Sequence, residues 1–295
     1  TEQRNFEAVL ALMASGKLDV KPLISRQVPL AEAPAVYQEL VTDRSLLGVV
    51  LTYPEANIDL RCTIEVGGAA GRSPQLATRN SQPATPVVGV IGAGNFASLV
   101  LLPALAKTDA GLHTIAASGG TSAVVAARKF GFQQATSDSR TILDDPAINT
   151  VFILTQHNTH ARLVIDALAA GKHVFVEKPL ALNQEELDAI KAALQTANSQ
   201  PATRNSHLLV GFNRRFASLA VRMQTHLAAR TQPITLIYTV NAGSIPPDHW
   251  TQDPAVGGGR IIGEACHFID LLRFLVGYPI TDVTARQMGH SPGIE

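Results

Sequence analysis

The stretch 87–106, VVGVIGAGNFASLVLLPALA, constrains this chain more than any other. Val87, Val88, Gly89, Val90 and Ile91 form an apolar, mostly β-branched run without alternation, the pattern of a strand buried on both faces. Gly92-Ala93-Gly94 then predicts a tight turn and 95–106 a helix. Strand, G-x-G-x-x-A turn and helix in that order make a dinucleotide-binding fingerprint. Gly92 permits the turn, Gly94 lets a pyrophosphate approach the backbone without meeting a Cβ, and Ala97 lets helix and strand pack closely. The helix start at Asn95 and Phe96 offers free N–H groups and partial positive charge to the phosphates. A glycine turn that merely joins two buried elements is the plain alternative.

From residue 87 onward strand and helix patterns alternate, which predicts an α/β fold with a doubly wound parallel sheet. Strands are expected at 87–91, 112–117, 151–154, 173–176 and 208–212, and helices at 122–130, 159–170 and 183–197. Asn183 with Glu186 three residues on is close to a capping box. Further on, 234–240 reads as a strand, 259–276 as a helix and 280–287 as a strand, so a partial α+β domain should follow. Residues 1–53 read as a separate unit. Phe6, Val9, Leu10 and Met13 recur at helical spacing before Gly16, strands fall at 23–24 and 47–52, and a helix at 31–41 lies between them. After a short strand at 58–66, the Gly-, Ser-, Thr- and Pro-rich remainder of 54–85 reads as linker. ATRNSQP at 77–83 recurs in rotated form as SQPATRNS at 199–206, both as polar loops. The expected division is therefore 1–53, 54–85, 86–212 and 213–295. The chain begins without Met and its last domain reads as incomplete, so a fragment is expected.

Composition narrows the function classes. Apolar residues make up 46% of 295 and charged ones 16%, which describes a globular chain. Lys+Arg and Asp+Glu are both 24, so nothing favours capture of nucleic acid or an anionic membrane. No apolar run is long enough to span a bilayer and the first residues are no signal peptide. Cys62 and Cys266 are too far apart for a C-x-x-C pair, which argues against a disulfide framework or structural zinc and for a cytoplasmic chain.

Candidate chemistry sits at the carboxyl ends of the predicted strands, where doubly wound folds bind ligands. The second strand runs into Ala117-Ser118-Gly119-Gly120-Thr121-Ser122, without the acid that grips the ribose of NAD and without an adjacent base. Both NAD and NADP therefore stay open, with the missing acid favouring NADP slightly and Ser118 as a hydroxyl partner for either. Thr155, Gln156 and His157 end the strand 151–154 and should line the cofactor crevice, Gln156 near the nicotinamide. His160 opens the next helix, as a cofactor contact or a solvated helix-start residue. Glu177-Lys178-Pro179 follows the strand 173–176; Pro179 holds Lys178 out of helical geometry and permits a cis bond.

GAGNFA, followed about eighty residues later by AGKHVFVEKPLA, resembles the Gfo/Idh/MocA oxidoreductases, as do VGFNRRF, NAGSIPPDHW and GGGRIIGEACHFIDLL in the same order. The resemblance runs from residue 86 to the end and implies a Rossmann domain followed by a substrate domain. It implies an NAD(P)-dependent oxidoreductase acting on a sugar or nucleotide-sugar, with Lys178 at cofactor and substrate and His267 in proton transfer. A non-catalytic cofactor-binding module is the alternative. The substrate-domain sheet is a candidate surface for a homo-oligomer. Residues 5–40 and 46–54 resemble the carboxyl-terminal tail of a zinc-type, medium-chain alcohol dehydrogenase, and the combination resembles two-domain oxidoreductases of bacterial polysaccharide gene clusters.

The pattern departs from the family at one position: where many members carry Asp four residues before the His, this chain has Gly263, with Glu264 beside it. Glu264 replaces that carboxylate, or Lys178 and His267 act as a dyad. Glu264, His267 and Asp270 share one helical face and can orient one another. As a metal site these three with His249 lack a completing ligand, so no metal is expected. Arg214 and Arg215 are placed to meet an acidic or phosphorylated substrate or to form surface ion pairs, Trp250 to offer a platform for a sugar face, and His249 and Asp270 to join the substrate wall.

Overall fold

The computed structural model describes residues 2–53, 61–66, 85–199 and 206–286. The chain divides into two compact units, Thr1–Arg61 and Cys62–Glu295. In the first, α1 (Glu2–Ala14) is followed by β1 (Arg26–Pro29), α2 (Ala33–Thr42) and β2 (Val49–Thr52). β1 and β2 pair in parallel, Arg26 beside Val49 and Pro29 beside Thr52. The strand expected at 23–24 is replaced by a 3-10 turn at Lys21–Leu23. Pro22 has no N–H for a ladder and fixes φ near the helical value, so pairing begins only at Arg26. Val28 and Val36 are buried while Phe6, Leu10 and Tyr37 stay exposed, as the small core of so short a unit dictates.

The second unit is built on β3 (Thr63–Glu65), β4 (Val87–Ile91), α3 (Leu102–Leu105), β5 (Gly111–Ala116), α4 (Thr121–Phe130) and β6 (Gln134–Thr136). It continues through α5 (Arg140–Asp144), β7 (Thr150–Ile153), α6 (His160–Ala169), β8 (His173–Val176), α7 (Gln184–Ser199) and β9 (Leu208–Val210). Among the described residues these strands form one sheet in the order β3-β6-β5-β4-β7-β8-β9, all parallel except β3, which runs antiparallel to β6. β3 lies within the strand expected at 58–66, of which 58–60 fall outside the described residues, and forms the edge of the sheet. The expected α/β doubly wound sheet is present, and its short members β6 and α5, too polar or too brief to read as periodic segments, complete it.

The absence of alternation in β4 has a direct cause. Val88 and Val90 join a cluster with Leu102, Ile115, Ala127 and Phe132 on one face. Val87 and Ile91 join Ile142, Ile153, Leu163, Val164 and Leu168 on the other. At about 1.5–3 kcal/mol for each large side chain removed from water, these two cores hold the strand ends rigidly. Gly89 is the exception that proves tight: a Cβ there would lie 2.3 Å from Ile142. The helix expected at 95–106 is interrupted by a π turn at Ala97–Leu101, because Pro103 supplies no N–H to continue the regular ladder. Asn183 caps α7 through Glu186 N–H at 2.8 Å, while the Glu186 carboxylate reaches back to Leu182 N–H at 2.8 Å.

Beyond β9 the chain forms α8 (Ser218–Ala228) and, after a π turn at Ile261–Ala265, α9 (Cys266–Val276). The strands expected at 234–240 and 280–287 are not formed at 234–240 or 280–286, and Gln287 lies outside the described residues. Apolar spacing fixes which side chains can share a face, but a strand also needs a hydrogen-bonded neighbour, and neither segment has one among the described residues. Ile237 is 89% exposed and Val283 76%. The sheet expected to carry a homo-oligomer contact is therefore missing from the described residues. No helix of the described residues is long and apolar enough to cross a membrane.

Candidate active site

β4 lies where the strand order reverses, with β5 on one side and β7 on the other, so its carboxyl end opens onto a crevice. Gly92 turns the chain there at φ +110°, and its N–H donates to Ala116 O at 2.8 Å. A Cβ on Gly92 would stand 2.5 Å from Leu154 O, so only glycine fits. A Cβ on Gly94 would meet nothing within 4 Å: the turn faces open space. Ala97 is 1% exposed beneath it. The resulting cavity of about 790 Å³ is lined by Gly92, Gly94, Asn95, Phe96, Ser118 and Gln156, among others.

A second cavity of about 510 Å³ adjoins the first, and Phe96, Leu154, Thr155 and Trp250 line both. Its floor is the segment after β8. Glu177 N–H donates to Ile153 O at 2.9 Å, which ties this segment to the end of β7, and the Lys178–Pro179 bond is cis. Lys178 Nζ donates to Gly263 O at 2.9 Å. Glu177, Lys178, Arg214, Glu264 and His267 all line this cavity. The Glu177 carboxylate presses on the backbone of Gly211, where a Cβ would come within 2.6 Å of Oε1.

The electrostatics follow from burial and from the cations. Burial, then the charges of Lys178 and Arg214, hold the His267 imidazole down at about 4, against weaker opposition from Asp270 and Glu264. His267 is therefore neutral near pH 7, and its buried Nδ1 has no hydrogen-bond partner among the described residues. Burial raises the Glu177 carboxyl above its ordinary value despite the N–H and ammonium of Lys178. Burial likewise lowers His157 and His160.

Several expected contacts are rearranged. His160 is fully buried, not solvated: Nδ1 lies 2.7 Å from Pro179 O and Nε2 3.1 Å from Thr155 O. Both ring nitrogens are thus spent on tying the two strand ends together, and the residue positions the crevice instead of offering a nitrogen to a cofactor. Glu264 pairs with Arg260 at 3.1 Å, and Asp270, 7% exposed, is gripped by both Nε and Nη2 of Arg215. The helical trio Glu264, His267 and Asp270 does not form, because arginines neutralise both carboxylates. Asp270 lines neither cavity. His249 is exposed, accepts from Thr251 N–H and caps the turn Trp250–Gln252, also away from both cavities. Thr155 and Gln156 do reach the first cavity, as do Ser118 and Trp250.

Residues 87–203 match the model of the Gfo/Idh/MocA family, described as an oxidoreductase family with an NAD-binding Rossmann fold. This part of the chain is thus similar to the Rossmann domain of that family. Levoglucosan dehydrogenase of Pseudarthrobacter phenanthrenivorans is 36% identical over 162 residues, 52% of this chain and 40% of that protein. Myo-inositol 2-dehydrogenase of Thermotoga maritima is 28% identical over 200 residues, 67% of this chain and 57% of that protein. Among solved structures, levoglucosan dehydrogenase in complex with NADH and L-sorbose superposes with a TM-score of 0.55 at 31% identity, covering 65% of this chain and 53% of that one. A putative myo-inositol dehydrogenase from Sinorhizobium meliloti 1021 gives 0.54 at 25%, covering 66% and 56%. The chain spans about half the length of the curated relatives it matches.

The glycine turn in this chain fits a dinucleotide: a Cβ at Gly94 would occupy the space a pyrophosphate needs, and the cavity is of ligand size. Sequence reasoning placed His157 at the crevice but missed its partners: the residue is 7% exposed, its Nδ1–H donates to Gly257 O at 2.8 Å and its ring meets Trp250 edge-on at 4.8 Å. It also missed Ser137 and Ser139, which line the first cavity just past β6. Reading β6 as a strand would have placed both at a carboxyl edge.

Proposed function

We propose that the chain carries the reacting groups of an NAD(P)-dependent oxidoreductase that interconverts the CH–OH and C=O of a sugar or nucleotide-sugar. The observation that carries this reading is the meeting of the Lys178 ammonium and a neutral His267 in a cavity that shares a wall with the glycine-turn cavity. Gly92, Gly94, Asn95, Phe96, Ala97 and Ser118 hold the cofactor, with Thr155, Gln156 and Glu177 along its length. The nicotinamide supplies or accepts the hydride. Oxidation removes a hydride from carbon and a proton from oxygen, and the imidazole of His267 takes that proton, being unprotonated at neutral pH. Lys178 spends one N–H on Gly263 O and keeps two to stabilise the charge developing on the substrate oxygen.

Gly263 thus supplies a carbonyl where a carboxylate was expected, and Glu264 does not replace it because Arg260 holds it. Trp250 forms the apolar wall and Arg214, stacked 4.7 Å from the Phe268 ring, the basic one. The relatives named for levoglucosan and myo-inositol make an unmodified cyclic sugar or polyol the first class to assay, and Arg214 extends the range to a nucleotide-sugar. In the first unit, the parallel β1–β2 pair around α2 supports reading residues 1–53 as an alcohol-dehydrogenase tail, and the polysaccharide context goes with that reading.

The test follows NAD(P)H absorbance with levoglucosan, myo-inositol and nucleotide-sugars, with Lys178→Met as the variant. Turnover should fall by about 10²–10⁴ while NAD(P)H affinity changes by no more than about threefold. Undiminished turnover in the variant overturns the assignment. Binding without turnover in the parent chain would leave a cofactor-binding module, which the glycine at 263 favours.

A further inference from the structure

The adenosine end of the first cavity is unlike that of a fold built to reject a 2′-phosphate. In doubly wound domains a carboxylate after the second strand bonds the ribose diol and repels that phosphate. Here β5 ends at Ala116, and the chain passes through Ser118 and two glycines into α4. Ser118 and Ser122 line the cavity on this side, and Ser137 and Ser139 line it from beyond β6. Among the described residues that line it there is no Asp or Glu, and Arg162 is the one charged member.

The nearby carboxylates are engaged elsewhere. Asp138 is exposed and accepts from Arg140 N–H at 2.9 Å. Asp166 sits 3.5 Å from Arg162 and 3.8 Å from Arg140, so its charge is compensated. A ribose diol at this end loses the acceptor that normally holds it. A phosphate meets four hydroxyl donors, no facing carboxylate and a guanidinium in the same cavity wall.

We propose that this chain binds NADPH at least as tightly as NADH, with Ser118, Ser122, Ser137 and Ser139 as the residues that admit the 2′-phosphate. The inference rests on the reading of the glycine-turn cavity as the cofactor site.

The experiment is calorimetric titration of the chain and its Ser118→Asp variant with NADH and with NADPH. For the parent chain the NADPH dissociation constant should equal or fall below that for NADH. Ser118→Asp should shift the ratio towards NADH by about thirtyfold or more, since it restores a like charge beside the phosphate. NADH binding tighter by about threefold or more in the parent, or an unchanged ratio in the variant, overturns the proposal. Failure of either nucleotide to bind the parent overturns the cofactor-site reading, and the inference with it. Ser118 is exposed in a loop, so the variant folds as the parent does, and its melting temperature checks this.

Discussion

The cavity beneath the glycine turn and the cavity around Lys178 share Phe96, Leu154, Thr155 and Trp250, yet they are built in opposite ways. The first is made by backbone: a positive-φ glycine, a second glycine facing open space, and hydroxyls, with Arg162 its one charged lining residue. The second is made by side chains from distant segments, Lys178 meeting Gly263 and His157 meeting Gly257. Backbone conformation tolerates almost no substitution, whereas a side-chain cluster can exchange partners and keep its charge balance. The difference teaches that the glycine-turn wall is a property of the fold and the wall around Lys178 a property of particular residues.

The harshest way to break this contrast is Gly92→Val. A Cβ 2.5 Å from Leu154 O at φ +110° should cost about 3 kcal/mol or more of stability and abolish NAD(P)H binding, read by thermal melting and calorimetry. Full binding would show that the turn does not set the cofactor wall. Asp270→Asn is the milder test on the reaction side. Removing a buried charge that Arg215 grips should cost about 2–3 kcal/mol while NAD(P)H affinity stays within about twofold. A large loss of affinity at unchanged stability would return Asp270 to the site.

The smallest effect sharpens the comparison most. Because Lys178 lowers the His267 pKa, Lys178→Met should raise it from about 4 towards the ordinary histidine value, measured by NMR titration of the imidazole. The sign carries into stability. The folded value lies below the unfolded one, so between about 6.5 and about 4 the unfolded chain binds more protons. Stability from this group is complete above that window and lost as pH falls through it. The Met variant should lose less over the same range in denaturant titrations, and an equal loss would remove Lys178 from the vicinity of His267.

Much of the second unit is legible in the residues themselves. The unalternating run of β4, the Asn183 cap and the glycine turn each encode their structure locally, because a strand buried on both faces or a capped helix start needs no distant partner to declare it. The strands expected at 234–240 failed for the converse reason, since pairing is decided by what lies alongside. The site divides in the same way. Gly92, Gly94 and Lys178 can be picked out by motif and strand position, whereas the buried bridge of His160, the arginine partners of Glu264 and Asp270, and the Gly257 partner of His157 could not be.

The sequence by itself determined the parallel sheet, the glycine turn at its switch point and the presence of a lysine and a histidine able to serve a redox crevice. Only the tertiary structure decided which carboxylates are already neutralised by arginine, and that Gly263 meets Lys178 through its carbonyl. It alone showed that the first cavity is lined by hydroxyls from beyond the ends of both β5 and β6. Periodicity and turn chemistry act over a few residues, but charge pairing and burial depend on groups brought together across the sheet, and no local pattern records them.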